Sequence, residues 1–268
     1  MKRLLYLLCA ALLCLAPAVW AQTSLRWCLN EVASPPWRLG LEHRPRLSEK
    51  GERAQGLEYD FLRLLASRSG LQFQWVQRPW RRCLLELQRG EHDAMMAMSY
   101  LPEREPLYRF PMREGRPDEA RAIQRFSYYL YVAKGQPSPW DGQQWQLPAG
   151  TAVAVPMGYS IATVLRDQGV SVDDSQRGTE EVLGKLVSGQ VAVAALPFDE
   201  VEGVLKREAA WRARLVRVEP ALQTRHYFLV FSHAFANQHP ALAERLWDEA
   251  VAVRDSAAYR RAVRAAGR

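Results

Sequence analysis

Apolar positions along the chain fall into two patterns: short dense runs, and longer segments in which they recur at helical spacing. Leu25-Arg26-Trp27-Cys28-Leu29 has the density of a first strand, and Ser34-Pro35-Pro36-Trp37 after it must be a turn or extended loop. Leu57, Phe61, Leu62, Leu64 and Leu65 form a helical apolar face that starts after Gly56 and stops at Gly70. Leu71 to Val76 alternates as a second strand, and Pro79 opens a helix with Trp80, Cys83, Leu84 and Leu87 on one side, ending at Gly90. Ala94-Met95-Met96-Ala97-Met98 reads as a short buried strand. Strand, helix, strand, helix, strand spells a parallel α/β layer.

Arg113 to Arg125 is polar and broken by Gly115 and Pro117, which predicts a loop, whereas Phe126 to Ala133 is an aromatic strand closed by Gly135 to Pro139. A second α/β series follows. Strands are expected over Ala152–Val155 and Val191–Leu196, and helices over Ser160–Asp167, Glu180–Val187 and Glu200–Lys206. A late strand over His226–Phe231 and terminal helices over Pro240–Ala252 and Ser256–Ala266 complete the chain. There is no tandem repeat and no low-complexity tract.

Composition narrows the class. The 268 residues suit one large or two modest domains, and 48% hydrophobic with 24% charged residues excludes global disorder, collagen and coiled coil. The start changes the picture most. Met1-Lys2-Arg3, the apolar run Leu4 to Leu15, and Ala16 to Ala21 read as a signal peptide over 1–21, cut after Ala21. The rival, an uncleaved membrane anchor, is disfavoured by the shortness of the apolar run. The protein is therefore expected to be exported to the periplasm.

Loss of Lys2 and Arg3 lowers the formal charge from +7 to +5. The remaining arginines alternate with acids, as in Arg44 to Arg53 and Glu202 to Arg217, which describes solvated faces and argues against a nucleic-acid partner. Cys9 and Cys14 leave with the leader, and Ala11-Leu12-Leu13-Cys14 is a poor lipid-attachment site. Cys28 and Cys83 remain in a compartment that permits a disulfide; the sequence leaves open whether they bond.

Ser34-Pro35-Pro36-Trp37, Gly56-Leu57-Glu58-Tyr59-Asp60, Pro79-Trp80-Arg81-Arg82, Gly90-Glu91-His92-Asp93 and Ser99-Tyr100-Leu101-Pro102-Glu103-Arg104 occur in that order. This set resembles the extracellular solute-binding proteins of family 3, periplasmic receptors for polar amino acids. The likeness is dense from about Leu25 to Met112 and weaker beyond. It implies a two-lobed periplasmic-binding-protein type II fold: lobe 1 from 22–125 plus 220–268, lobe 2 from 126–219, and a ligand cleft between them. Ligand sites of open α/β sheets gather at the carboxyl ends of strands, and each motif here follows a predicted strand.

The resemblance assigns Arg104 to the ligand carboxylate, a task suited to a permanently charged two-pronged donor; the alternative is a surface ion pair with Glu103 or Glu105. Ser99 would donate to the same carboxylate or cap the strand end. Trp80 and Trp37 would enclose the ligand or fill core. Glu31 lies where relatives carry an acid that attracts an amino group, with a solvated loop carboxylate as the alternative. Gly158, Tyr159 and Ser160 join a strand to a helix, where unpaired amides bind anions; Ser160 would otherwise be a helix cap. One departure stands out: the acid that usually follows the strand Val191–Leu196 is replaced by Pro197, so either Asp199 substitutes or the ligand lacks an amino group.

No catalytic constellation is present. Gly158-Tyr159-Ser160-Ile161-Ala162 lacks the second glycine of a nucleophile elbow, the five histidines show no metal-ligand spacing, and no phosphate or dinucleotide loop appears. Asp173-Asp174 reads as part of a polar loop. No cofactor or metal is expected. The function expected is a monomeric binding protein for a small carboxylate-bearing solute, serving the membrane subunits of an ABC transporter. The rivals are a dehydratase-like enzyme on the same scaffold, with Glu31 or Glu58 as general acid, and a sensing module for a signalling partner.

Overall fold

The structure, a computed structural model, describes residues 24–39 and 55–267. The leader expected over 1–21, its cut after Ala21, Cys9, Cys14 and the mixed run Arg44 to Arg53 lie outside the described residues.

The apolar run that begins the described chain forms β1 (Ser24–Asn30), which pairs in parallel with β2 (Gln72–Arg78), from Ser24 opposite Gln72 to Asn30 opposite Arg78. Between them lies α1 (Leu57–Ser69), closed by Gly70 in the left-handed conformation at φ 69°. That geometry costs glycine little, having no Cβ. After β2, α2 (Trp80–Gln88) leads to β3 (Ala94–Ser99). A small ribbon of β4 (Met112–Arg113) and β5 (Arg116–Pro117) precedes β6 (Gln124–Ala133). The second series is β7 (Val153–Pro156), α3 (Ser160–Asp167), β8 (Val172–Gln176), α4 (Thr179–Val187), β9 (Val193–Pro197), α5 (Phe198–Arg207) and the short α6 (Ala209–Arg212). The long β10 (Leu215–Phe231) and the helices α7 (His233–Gln238), α8 (Pro240–Arg254) and α9 (Ala257–Gly267) end the chain.

The strands form one continuous curled sheet in the order β2-β1-β3-β10-β6-β9-β7-β8. Its centre is the antiparallel pair β6 and β10, whose register breaks between Val218 and Gln223. On one side of that break Tyr227 to Phe231 pair with β3; on the other Tyr128 to Val132 pair with β9. The same two strands thus serve a parallel layer at each end, and the α/β architecture expected from the sequence is present. One core joins Leu25, Trp27, Phe61, Leu62 and Leu65 to Leu246, Trp247 and Tyr259 near the other chain end. A second gathers Leu130, Val153, Ile161, Leu165 and Ala195. Trp37 and Ala97 pack against both.

Three expectations need correction. Arg113 to Arg125 is not wholly loop: it holds part of the ribbon β4–β5, a short 3-10 turn at Glu119–Arg121 and the start of β6. Asp173 and Asp174 lie in β8, where Asp173 accepts from Ser175 N and Gln176 Nε2 and Asp174 pairs with Arg166. The late strand begins well before His226, because residues from Leu215 onward pair with β6 despite their polarity.

Candidate functional site

β1 ends in buried Asn30, and the chain then turns through Ser34, whose carbonyl accepts from Trp37 N at 2.8 Å and Arg38 N at 3.0 Å. The turn is strapped to the start of α1, since Leu57 N reaches Pro36 O and Glu58 N reaches Trp37 O. The unpaired first amides of α1 are satisfied by this backbone, because no side chain caps the helix. Side chains repeat the connection: Arg38 Nη1 donates to Glu58 Oε2 at 2.8 Å, with both groups buried. Burial would lower the Arg38 pKa, but Glu58, Tyr159 and Glu200 outweigh it and hold the guanidinium above its ordinary value.

β3 contributes through an irregularity. Against β10, Met98 faces Phe228 while Met95 faces Val230, so β3 carries one extra residue, and Ala97 adopts φ 56° there. A bulge resets side-chain alternation, and Met96, Ala97 and Ser99 all line one cavity. The chain then enters the 3-10 turn Pro102–Arg104, which brings Arg104 back toward the strand end. Arg104 Nη1 donates to Ser99 O and Ser99 Oγ, both at 3.0 Å, and Nη2 donates to Gly158 O at 3.1 Å. Among the described residues Arg104 has no ion-pair partner, and burial lowers its pKa.

The opposite wall comes from the second series. Gly158 bends the chain between β7 and α3 at φ 75°, and its carbonyl also accepts from Trp80 Nε1 at 3.2 Å. Tyr159 precedes α3, and its hydroxyl lies 3.3 Å from both Glu200 oxygens. Glu200 sits in the first turn of α5, is buried, and also accepts from Thr179 Oγ1. Tyr227 of β10 donates to the Tyr128 hydroxyl of β6 at 3.0 Å, and burial raises the pKa of both phenols. Among the described residues, Ser160 Oγ, buried beside Tyr227, and Trp37 Nε1 have no hydrogen-bond partner of acceptable geometry.

Trp37, Trp80, Ser99, Arg104, Gly158, Tyr159 and Ser160 therefore line one cavity, together with Asn30, Arg38, Glu58, Gln124, Phe126, Tyr128, Glu200 and Tyr227. About 50 Å³ of it admits the centre of a water-sized sphere. Glu31 does not line it. The strand end turns Asn30 inward, while Glu31 is bonded to Arg177 outside the cavity. Nor does Asp199, whose neighbour Glu200 occupies that wall.

The four charged groups of the cavity divide in a simple way. Arg38 and Glu58 neutralise each other directly. Among the described residues Arg104 and Glu200 hydrogen-bond only to neutral groups and have no ion-pair partner, Glu200 acting on Arg38 only from beyond contact, so one cation and one anion without a contacting counter-charge face the enclosed space. Buried charges are costly unless paired. Such a space is complementary to a molecule carrying both signs. Outside it, Cys28, Glu86 and His92 lie close enough to share a metal ion. However, Cys28 sulfur is bonded to Cys83 sulfur, and Glu86 already accepts from Arg82 and bonds to His92.

Comparison with known proteins agrees with this architecture. The sequence profile of the bacterial extracellular solute-binding proteins, family 3, matches residues 43–195. Among curated proteins none matches the sequence. A histidine kinase sensor domain with similarity to periplasmic binding proteins superposes with a TM-score of 0.72 at 15% identity, over 91% of this chain and 96% of that one. The arginine-, lysine-, histidine-binding protein ArtJ of Geobacillus stearothermophilus gives 0.69 at 14% identity, over 91% of this chain and 94% of that one. The GluR0 ligand-binding core of Nostoc punctiforme, solved with L-glutamate, gives 0.66 at 16% identity, over 89% and 96%. These likenesses show a type II periplasmic-binding fold.

Proposed function

This chain belongs to family 3 of the bacterial extracellular solute-binding proteins, and we propose that it is an exported receptor that captures a small zwitterionic, amino-acid-like solute between two closing lobes. In this reading lobe 1 comprises 22–125 with 220–268 and lobe 2 comprises 126–219. Arg104 and Ser99 take the carboxylate, helped by the amide of Ser160 at the start of α3, whereas the Tyr159 amide is already bonded to Pro156 O. Glu200 and the neighbouring phenols take the ammonium. Trp37, Trp80 and Phe126 pack the remainder.

The observation that carries the reading is the pair of charges without a contacting ion-pair partner, Arg104 on one wall and Glu200 on the other. A ligand that satisfies both touches both lobes only when they are closed, so binding shifts the population to the closed form. The enzyme alternative loses its two proposed acids: Glu58 is ion-paired to Arg38, and Glu31 faces Arg177 outside the cavity. Delivery to the membrane subunits of an ABC transporter is the output we favour. The likeness to a histidine kinase sensor domain supports a second output, ligand sensing for a signalling partner.

The test is a thermal-shift screen of protein beginning at Gln22 against amino acids, polyamines and organic acids, followed by calorimetry. A tight binder raises the melting temperature by mass action. Stabilisation by L-amino acids and not by polyamines is expected. Stabilisation by polyamines alone refutes the Arg104 assignment, and turnover of the bound compound in mass spectrometry refutes a pure receptor.

A further inference from the structure

The segment after β1 does more than lead into the cavity. It is anchored to α1 through Pro36, Trp37 and Arg38, as described above, yet its tip lies against α4 and α5 of the opposite side. Glu31 pairs with Arg177 there. A methyl group added at Gly178, the residue before α4, would stand 2.5 Å from Val32 Cγ1. One added at Gly203, inside α5, would stand 2.0 Å from the carbonyl oxygen of Pro35 and 2.5 Å from its carbon. The first contact is with a side chain that can shift. The second is with backbone held by hydrogen bonds on both sides of the turn, and it cannot be relieved by a rotamer change.

Gly203 is a costly residue at its own position. Alanine is a far better helix former than glycine in a helix interior, and Gly203 needs no left-handed backbone, since it lies within α5 and is absent from the positive-φ glycines. What it provides is a notch. We infer that Gly203, with Gly178 beside it, is a positioning residue for ligand capture: the missing side chains form the seat on which the Val32–Pro35 wedge comes to rest, setting how far the lobes close. This rests on the closing-lobe reading, but it concerns residues outside the cavity that touch no ligand.

The test compares wild type, Gly203→Ala and Gly184→Ala. Gly184 is a matched control, lying within α4, where an added methyl meets only Trp211 at an ordinary 3.5 Å. The probe is an equimolar mixture of the twenty standard L-amino acids, titrated in a thermal-shift assay, with small-angle scattering alongside, both without the mixture and at saturation. Gly203→Ala is expected to melt no lower than wild type without the mixture, to need at least ten-fold more of it for the same stabilisation, and to contract less than wild type at saturation, keeping a larger radius of gyration. Gly184→Ala should keep the wild-type response and radius. A Gly203→Ala protein with wild-type response and radius overturns the inference. If wild type neither melts higher nor contracts with the mixture, the function proposed above fails and the inference with it; if wild type responds and Gly203→Ala responds equally, the inference alone fails.

Discussion

Arg104 Nη2 reaches the carbonyl oxygen of Gly158 at 3.1 Å, so the cation of one wall rests on the backbone of the other. A peptide carbonyl is a weaker acceptor for guanidinium than a carboxylate, which can take both prongs. In the function proposed above, an incoming carboxylate would replace this contact at a net gain. Arg104→Ala is expected to cost ~2–5 kcal/mol of binding, with Arg104→Lys recovering only part because it lacks the fork. Isothermal calorimetry with the best ligand of the screen decides it; an unchanged dissociation constant removes Arg104 from the site.

Glu200 makes the complementary prediction. It is held by the Tyr159 and Thr179 hydroxyls, both neutral donors. Glu200→Gln keeps the shape and removes the charge, so affinity for a zwitterion should fall by roughly 1.5–3 kcal/mol, the worth of a hydrogen bond to a charged group. The same variant should not lose affinity for the corresponding acid without an amino group. Equal losses for both compounds would show that Glu200 supports the wall and does not contact the ammonium.

Asp199 offers a test by pH. Burial raises its carboxyl above the usual range, with Glu200 and Glu202 adding repulsion against a partial offset from a backbone hydrogen bond. The folded state then holds the proton more tightly than the unfolded state. Stability from this group is full below the unfolded value and is lost as pH rises through the folded one. Asp199→Asn should therefore raise the melting temperature at pH 7 and leave it nearly unchanged at pH 3. Shifts of equal size at both pH values would show that the cause is packing.

How much of this was legible in the sequence varies with the physics of each element. β1, α1, α2, β3 and β9 stand out because burial on one or both faces imposes a dense or periodic apolar pattern. β8 was hidden because an edge strand needs few apolar residues, and Val172-Asp173-Asp174-Ser175-Gln176 looks like loop. The first part of β10 is hidden because nearly all its residues before Tyr227 stay exposed or half-buried, so no apolar pattern is imposed on them. Arg104, Ser99, Trp80 and the Gly158 turn, which line the cavity, belong to segments that follow the expected strands in the sequence. Glu200 was missed because helix α5 starts at Phe198, before the expected Glu200, which put attention on Asp199. The available signal was an acid in the first turn of a helix directly after a buried strand. Tyr128 and Tyr227 look like ordinary strand aromatics, and only their pairing across β6 and β10 exposes the phenol couple.

Cys28 and Cys83 form a disulfide with Cα atoms 5.5 Å apart and a sequence separation of 55, joining β1 to α2. Closing a loop of that length restrains the unfolded chain and is worth about 2–4 kcal/mol. The Cys28→Ser/Cys83→Ser protein should unfold at lower urea concentration with a loss of that size, and reducing agent should do the same to wild type only. A denaturation midpoint unaffected by either change would place the stabilisation elsewhere.

The core that packs Phe61 and Leu62 against Leu246 and Tyr259 has a consequence for biosynthesis. Its earliest-made members stay greasy and uncovered until the last helices emerge, since Phe61 meets Tyr259 only when the chain has doubled back. A polypeptide truncated anywhere before α8 therefore displays a sticky surface to chaperones and proteases. Cover for the early helix α1 therefore depends on synthesis reaching α8 and α9.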